Sequence, residues 1–433
     1  MTHKPTTAII NGDIYDFCSY RPNHFILFDD KIQQIGNMSE FQGADQIIDV
    51  SGNMILPGLV VGHGHLYGAF LRGLQVPFQP ESFRELLEQL HWRLDAELDL
   101  ESTYHSGKVL GNEYLKCGVT TLFDHHASGK AIRGTLAELK RAICDEFGMR
   151  GVLCFETSDR FPIDQCLAEN IDFAKDRSDQ FCGMFGMHAS MSVSKDTLDQ
   201  ISAVIGDIPI HVHAGESLED EEKSISLYGK RIIERFDHYH LLNKNSILAH
   251  CVHIDDREAA IIAKRECAIA INPTSNMNTS VGLPDYALFK KHGIKTIIGN
   301  DSLGPNIAKD YQNVLYCSHL RSKSAWQFSY QDLLDCIRNG YDMAERLLNI
   351  KIGLIEPGYV SDLISIPYFA ATPINQDNIF GHLVDGLFNV FKPKDVWCSG
   401  KQKIQNYETK WDESKIYSDA AKVSESLWQR IGG

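Results

Sequence analysis

No stretch of this 433-residue chain approaches eighteen consecutive apolar residues, so no membrane-spanning helix is expected. The opening residues, Met1-Thr2-His3-Lys4-Pro5, have no long apolar run behind them, so no secretory signal is expected. Cysteine pairing is missing as well. The 11 cysteines are scattered without a CxxC pair, and Cys154, Cys166 and Cys182 are too irregularly spaced for a disulfide scaffold. A reduced, cytoplasmic protein is the simpler expectation. Positive charge is scarce: 42 Lys and Arg stand against 57 Asp and Glu, a net charge of -15. That balance speaks against a nucleic-acid partner and against docking on anionic membranes, and leaves room for a neutral or cationic small molecule. No internal repeat or low-complexity segment stands out. What remains is 43% hydrophobic and 23% charged, the make-up of a globular protein. The length asks for one large domain with an appendage, or two to three domains.

The stretch with the most chemistry is Leu59-Val60-Val61-Gly62-His63-Gly64-His65. Its two histidines are spaced i, i+2, which in a strand puts them on one face. Before it, short β-style runs with tight turns fit a small antiparallel sheet, including an Asn11-Gly12 turn. After it, helical patterns alternate with short apolar runs: 119–123, 150–155, 184–187, 208–213, 246–250, 268–272 and 296–301. Counting from His63 gives eight strands, most followed by a helix candidate. The pattern predicts an α/β fold, a (β/α)8 TIM-like barrel. The tail returns to β style at 361–366, 384–391 and 395–399. Residues 1–57 and 355–410 are therefore expected to build one small β domain beside a barrel of 58–354. Residues 411–433, with Trp411 and Trp428, read as a C-terminal helical extension.

Polar residues gather just after the apolar runs: His63, His65, Asp124, His125, His126, His188, His213, Glu216, His250, Asn276 and Asp301. In a barrel those strand ends meet at one face. A divalent metal wants about four ligands with one position open to water. His63, His65, His213 and Asp301 form the candidate set, because strands one and eight are neighbours in a closed barrel. His211 competes with His213 but lies two residues deeper. Glu216, three residues past His213, is placed to carry protons. His250 is placed to polarise the bond under attack or to add a ligand, with His253 as its alternative. Such a metal acidifies water near neutral pH. Asp301 accepts the first proton, His250 stabilises developing charge, and Glu216 protonates a ring nitrogen and the leaving group. The target is an sp² carbon, an amidine-like C–NH2 or an amide carbonyl. Pocket candidates are Phe70, Arg72, His125, His126, Asp159, Arg160, His188 and Asn276, with Arg72 and Arg160 offered to a substrate carboxylate.

Seven runs together carry a resemblance: PGLVVGHGHLYGAFLRG, GVTTLFDHHAS, FGMHASMSVS, HVHAGES, ILAHCVH, INPTSNMN and IGNDSLG. Over nearly its full length the chain resembles the amidohydrolase superfamily, in the cytosine/guanine deaminase and chlorohydrolase-like branch. The doublet His125-His126 is similar to that of the SsnA-like group within it. The resemblance implies a barrel with a β-sandwich built from both termini and one divalent metal on His63, His65, His213 and Asp301. It assigns catalytic positions to His250 and Glu216. Binuclear relatives carry a bridging lysine at the mouth of strand four, where this chain has Met187-His188, so one metal is expected. His188 and one of His125 and His126 are expected to touch substrate. Gly62 departs from the Asp or Asn common before the first histidine, and Ile271-Asn272-Pro273 lacks the histidine many deaminases carry before the Asn. Zn2+ is expected, with Fe2+ compatible. A homodimer is expected by analogy. Three readings follow: an aminohydrolase releasing ammonia from an aminated heterocycle, an amidase or ring-opening hydrolase of a cyclic amide, or a non-catalytic metal-binding accessory protein.

Overall fold

A computed structural model describes residues 6–432. The opening Met1–Pro5, read above as lacking a signal, and Gly433 of the C-terminal extension lie outside the described residues.

The barrel strands are β1 (Leu59–Gly64), β2 (Val119–His126), β3 (Arg150–Phe155), β4 (Phe181–Gly183 running on into Phe185–Met187), β5 (Ile210–Ala214), β6 (Ile247–His250), β7 (Ala268–Ile271) and β8 (Thr296–Ile298). They pair in parallel in two runs, β1 to the first half of β4 and the second half of β4 to β8. Single bridges join the runs at both seams, Thr157 to Met187 and Gly64 to Asp301. The second seam brings Asn300 N–H and Asp301 N–H to the His63 carbonyl at 3.1 and 3.2 Å. That closure makes the fold a (β/α)8 TIM-like barrel. The strands are buried on both faces, as parallel strands under helices must be, which is why they read as continuous apolar runs.

Two glycines are required at the closing seam. An ideal Cβ at Gly62 would lie 2.8 Å from Ile297 Cδ1, and one at Gly299 would lie 2.3 Å from Asn272 Oδ1 and 2.6 Å from the His63 carbonyl oxygen. Gly62, a departure from the family pattern, is thus what lets β1 lie this close to β8.

The termini share one nine-stranded sheet. Asn53–Pro57, which feeds directly into β1, pairs antiparallel with Leu363–Pro367 from the far end of the chain. Thr7–Tyr15 pairs with Gln46–Asp49 over its first half and with Asn53–Pro57 over its second. Ile9, Ile26, Phe28, Val50, Ile55 and Trp397 form a small core of their own there.

Two sequence expectations need correction. Asn11-Gly12 is not a hairpin turn: Thr7–Tyr15 is one strand with a register shift at Gly12, and Asn11 takes φ 59° there. Residues 384–391, read as a strand, are helical turns, His382–Leu387 and Phe388–Val390. Their apolar residues Leu383, Val384, Leu387 and Phe388 are buried with helical spacing, a period that a short run does not reveal. Helices Ile307–Ser322 and Tyr330–Leu348, which follow the last barrel strand, were not anticipated. The C-terminal helix Glu413–Gly432 packs back on the barrel's first crossover, with Trp428 Nε1–H donating to the Phe70 carbonyl at 3.0 Å.

Candidate active site

Six of the expected side chains converge at the carboxyl end of the barrel. His63 and His65 leave β1 on one face, His213 leaves β5, His250 ends β6, and Glu216 and Asp301 sit just beyond β5 and β8. His250 (φ 73°) and Asp301 (φ 55°) hold left-handed backbone where their strands stop. Non-glycine residues rarely adopt that conformation, and here it turns both side chains at the point where the ladder ends.

Each imidazole is oriented from behind. His65 Nδ1–H donates to the His125 carbonyl at 2.5 Å, and His213 Nδ1–H donates to the His188 carbonyl at 2.8 Å. His250 Nδ1–H donates to Asn276 Oδ1 at 2.7 Å. His63 Nδ1 meets His211 Nε2 at 2.8 Å, so His211 lies behind His63 as its support. The free nitrogens all face one another. His65 Nε2 and His213 Nε2 are 3.3 Å apart, and His65 Nε2 is 3.2 Å from Asp301 Oδ1. His63 Nε2 and His250 Nε2 are buried without a hydrogen-bond partner. Ligands about 2.1 Å from one tetrahedral ion stand about 3.4 Å apart, so this spacing suits a shared cation. Ligand atoms of His63, His65 and Asp301 all lie within 4.8 Å of one another, as do those of His63, His213 and His250. Burial, with neighbouring imidazoles adding to it, holds His63 and His213 well below the usual histidine range. They are therefore neutral, the form that ligates. The buried lone pairs, the donor types and the spacing all fit one divalent metal.

Glu216 Oε2 stands 3.6 Å from His250 Nε2, and Asp301 Oδ2 stands 3.7 Å from it. Asp301 Oδ2 also accepts from Ser275 Oγ at 2.7 Å. Burial pushes the Glu216 carboxyl up to about 7. A carboxyl poised there can both give and take a proton near neutral pH.

A cavity of about 360 Å³ opens beside these residues; His65, His188, His213, Glu216 and Asp301 line it. The other sequence candidates fall elsewhere. His125 and His126 do not line it: His125 Nε2–H donates to the Met187 carbonyl at 3.0 Å, and His126 Nε2 meets Thr103 and Ser128 hydroxyls at 3.3 and 3.2 Å. Asn276 stands behind His250 rather than in the wall. Arg72 reaches the rim but forks onto both carboxylate oxygens of Glu113 at 2.7 Å. Arg160 is behind the wall, paired with Asp95 at 3.1 Å and with Glu156. Phe70 is absent from the lining, as is Asp159, which accepts at 2.8 Å from the N–H of Ser194, the N-cap of helix Lys195–Val204. Sequence reading missed Trp92, Asp95 and Glu156, which do line the cavity. Glu156 directly follows β3, so the strand-end pattern that found Glu216 could have found it. Trp92 and Asp95 sit in a helix and carry no such signal.

Imidazoles and carboxylates gathered at the mouth of a closed parallel barrel define a barrel hydrolase. A model of the amidohydrolase family matches residues 54–403, and the chain belongs to that family; it is a hydrolase acting on carbon–nitrogen bonds. Over 351 residues it is 27% identical to a 5-methylthioadenosine/S-adenosylhomocysteine deaminase of Desulfitobacterium hafniense, covering 78% of each chain. Over 434 residues it is 27% identical to a 5'-deoxyadenosine deaminase of Methanocaldococcus jannaschii, covering 95% of this chain and 98% of the relative. In fold it is similar to a zinc-bound adenosine deaminase of Xanthomonas campestris, with a TM-score of 0.84 over 98% of both chains at 19% identity.

Proposed function

We propose that the chain is an aminohydrolase that replaces the amino group of an aminated heterocycle, a 6-aminopurine type included, and releases ammonia. The observation that carries this reading is the set of inward-facing imidazole nitrogens whose other ring nitrogens are hydrogen-bonded, with Asp301 held by Ser275 and Glu216 standing beside His250. Deaminases of adenosine derivatives among the relatives support the substrate class. His63, His65, His213 and Asp301 would hold one divalent ion, Zn2+ in preference to Fe2+. When bound, that ion supplies a more acidic water and a fixed place for it. Asp301, close to both His65 and His250, takes a proton from the attacking water. His250, pinned by Asn276, presents Nε2 to the charge that develops as the carbon becomes tetrahedral. Glu216 gives a proton to the ring nitrogen, regains one from the hydroxyl on the tetrahedral carbon, and passes that one to the departing amine; the proton held by Asp301 then resets Glu216, a role suited to a carboxyl near pH 7. His188, with Nδ1 tied to Ser192 Oγ at 2.6 Å, turns its other nitrogen to substrate.

We assign this chemistry to residues 58–354, a supporting β domain to 1–57 and 355–410, and a helical extension to 411–433, with 1–5 and 433 lying outside the described residues. The His125-His126 doublet supports membership of the SsnA-like group. We place the enzyme in the cytoplasm as a homodimer without nucleic-acid or membrane partners; no helix among the described residues is long and apolar enough to cross a membrane. The test is zinc-loaded protein screened against aminated heterocycles, reading ammonia and product mass together. Ammonia release with a gain of one mass unit supports the proposal. A gain of one water without ammonia would replace it with ring or amide opening.

A further inference from the structure

The sequence offers Arg72 and Arg160 to a substrate carboxylate, but the folded chain commits both elsewhere. Arg72 is forked onto Glu113, which Tyr417 Oη also approaches at 3.2 Å. Arg160 is held by Asp95, Glu156 and the Ser158 hydroxyl, and its guanidinium lies 4.8 Å from the centre of the Trp92 ring. Among the described residues, Arg72 is the only lysine or arginine in the cavity lining, against five carboxylates: Asp95, Glu156, Glu216, Asp220 and Asp301. Glu216 and Asp301 belong to the reacting end. Asp95 and Glu156 do not, and share the single guanidinium of Arg160. Even with a divalent ion counted, acids outnumber bases in the lining; burial pushes Asp95 up and Glu156 up to about 7, and the Arg160 guanidinium draws both back toward the charged form.

Two atoms here want a partner. Asp95 Oδ1 is buried and accepts no hydrogen bond, and Trp92 Nε1–H, three residues earlier on the same helix, is buried and donates none. Both residues line the cavity. Buried polar atoms are seldom left so, and a ligand bearing N–H groups would satisfy the carboxylate.

We propose that Asp95 and Glu156 form a cation-selecting subsite: the substrate carries an amino, amidino or guanidino group toward them, and compounds carrying a carboxylate or phosphate there are rejected. This deepens the aminohydrolase reading and rests on it for the reacting end of the substrate. Asp95 acts as the contact; Arg160, bonded to both carboxyls, favours the charge on Asp95 and fixes Glu156 beside it. Like charges brought together in a closed site discriminate strongly, by about a hundred-fold or more.

The test uses zinc-loaded full-length protein and three matched aminopurines bearing a primary amine, a hydroxyl or a carboxylate on one short tether. Affinity is measured by calorimetry, and ammonia release separately. The proposal expects the amine to bind at least about a hundred-fold more tightly than the carboxylate, with the hydroxyl between. It expects Asp95→Asn to shrink that gap about ten-fold, and Glu156→Gln to shrink it in the same direction. The wild-type series stands even if a variant fails to fold. Equal or tighter binding of the carboxylate compound would overturn the proposal, as would an unchanged gap in two folded variants. The two levels separate cleanly. Amine-selective binding without ammonia release sinks the reaction and keeps the subsite; ammonia release from the carboxylate compound with equal affinity sinks the subsite and keeps the reaction.

Discussion

Asn276 touches His250 and does not line the cavity. Its amide oxygen fixes which nitrogen of His250 carries the proton and how the ring points. Asn276→Ala should therefore lower kcat about 10–100-fold with zinc content and KM little changed, the pattern of a lost orienting bond. Steady-state kinetics beside metal analysis check it. A second residue bears on pH rather than rate. Asp310 is buried, accepts from Thr274 Oγ1 at 2.5 Å, and is pushed by burial up to about 7. Its unfolded value is about 4, so the folded chain binds the extra proton between those values. Stability is then fullest below about pH 4 and falls as pH rises through about 7. Asp310→Asn, which keeps the acceptor and loses the charge, should gain on wild type by a few kcal/mol between pH 4 and pH 8; denaturant melts across that range check the trend. Residues differ in how well sequence announces them. His63, His65 and Glu216 follow from strand period and strand end. Asp95, on a helix, becomes visible only once the helix is docked beside the barrel mouth. Arg160 misled because its partners, Asp95 and Glu156, come from separate elements.

At the scale of elements, the barrel strands were legible because parallel strands buried on both faces leave apolar runs that end in polar residues. Residues 384–391 were misread because five to eight apolar residues do not distinguish a strand from buried helical turns. The helix pair after β8 lies in sequence with mixed polarity, and its burial pattern appears only against the barrel. The closing seam offers a direct test. A side chain at Gly299 would strike Asn272 and the His63 carbonyl, the same carbonyl that receives Asn300 and Asp301 N–H. Gly299→Ala should cost about 1–3 kcal/mol, the range for forced overpacking with backbone shift, and should weaken metal retention because His63 and Asp301 move with the seam. Gly62→Ala, which meets only flexible Ile297 atoms most closely, should cost less. Thermal melts of both, with zinc retained after dialysis, rank the two.

The whole molecule joins a terminal β sheet to a barrel whose mouth gathers histidines from β1, β5 and β6 and an aspartate from beyond β8. A ligand that binds only the folded chain stabilises it, by about 4 kcal/mol at a thousand times its dissociation constant. Stripping zinc with a chelator should thus lower Tm, and restoring it should recover both Tm and activity. The proposed ion site draws four side chains from three parts of the barrel. Anomalous diffraction at the zinc edge, from crystals grown with zinc, tests it most directly. A single strong peak is expected about 2.0–2.2 Å from His63 Nε2, His65 Nε2, His213 Nε2 and an Asp301 carboxylate oxygen. A peak centred instead on His125 and Glu156, or none at the barrel mouth in zinc-replete crystals, would contradict it.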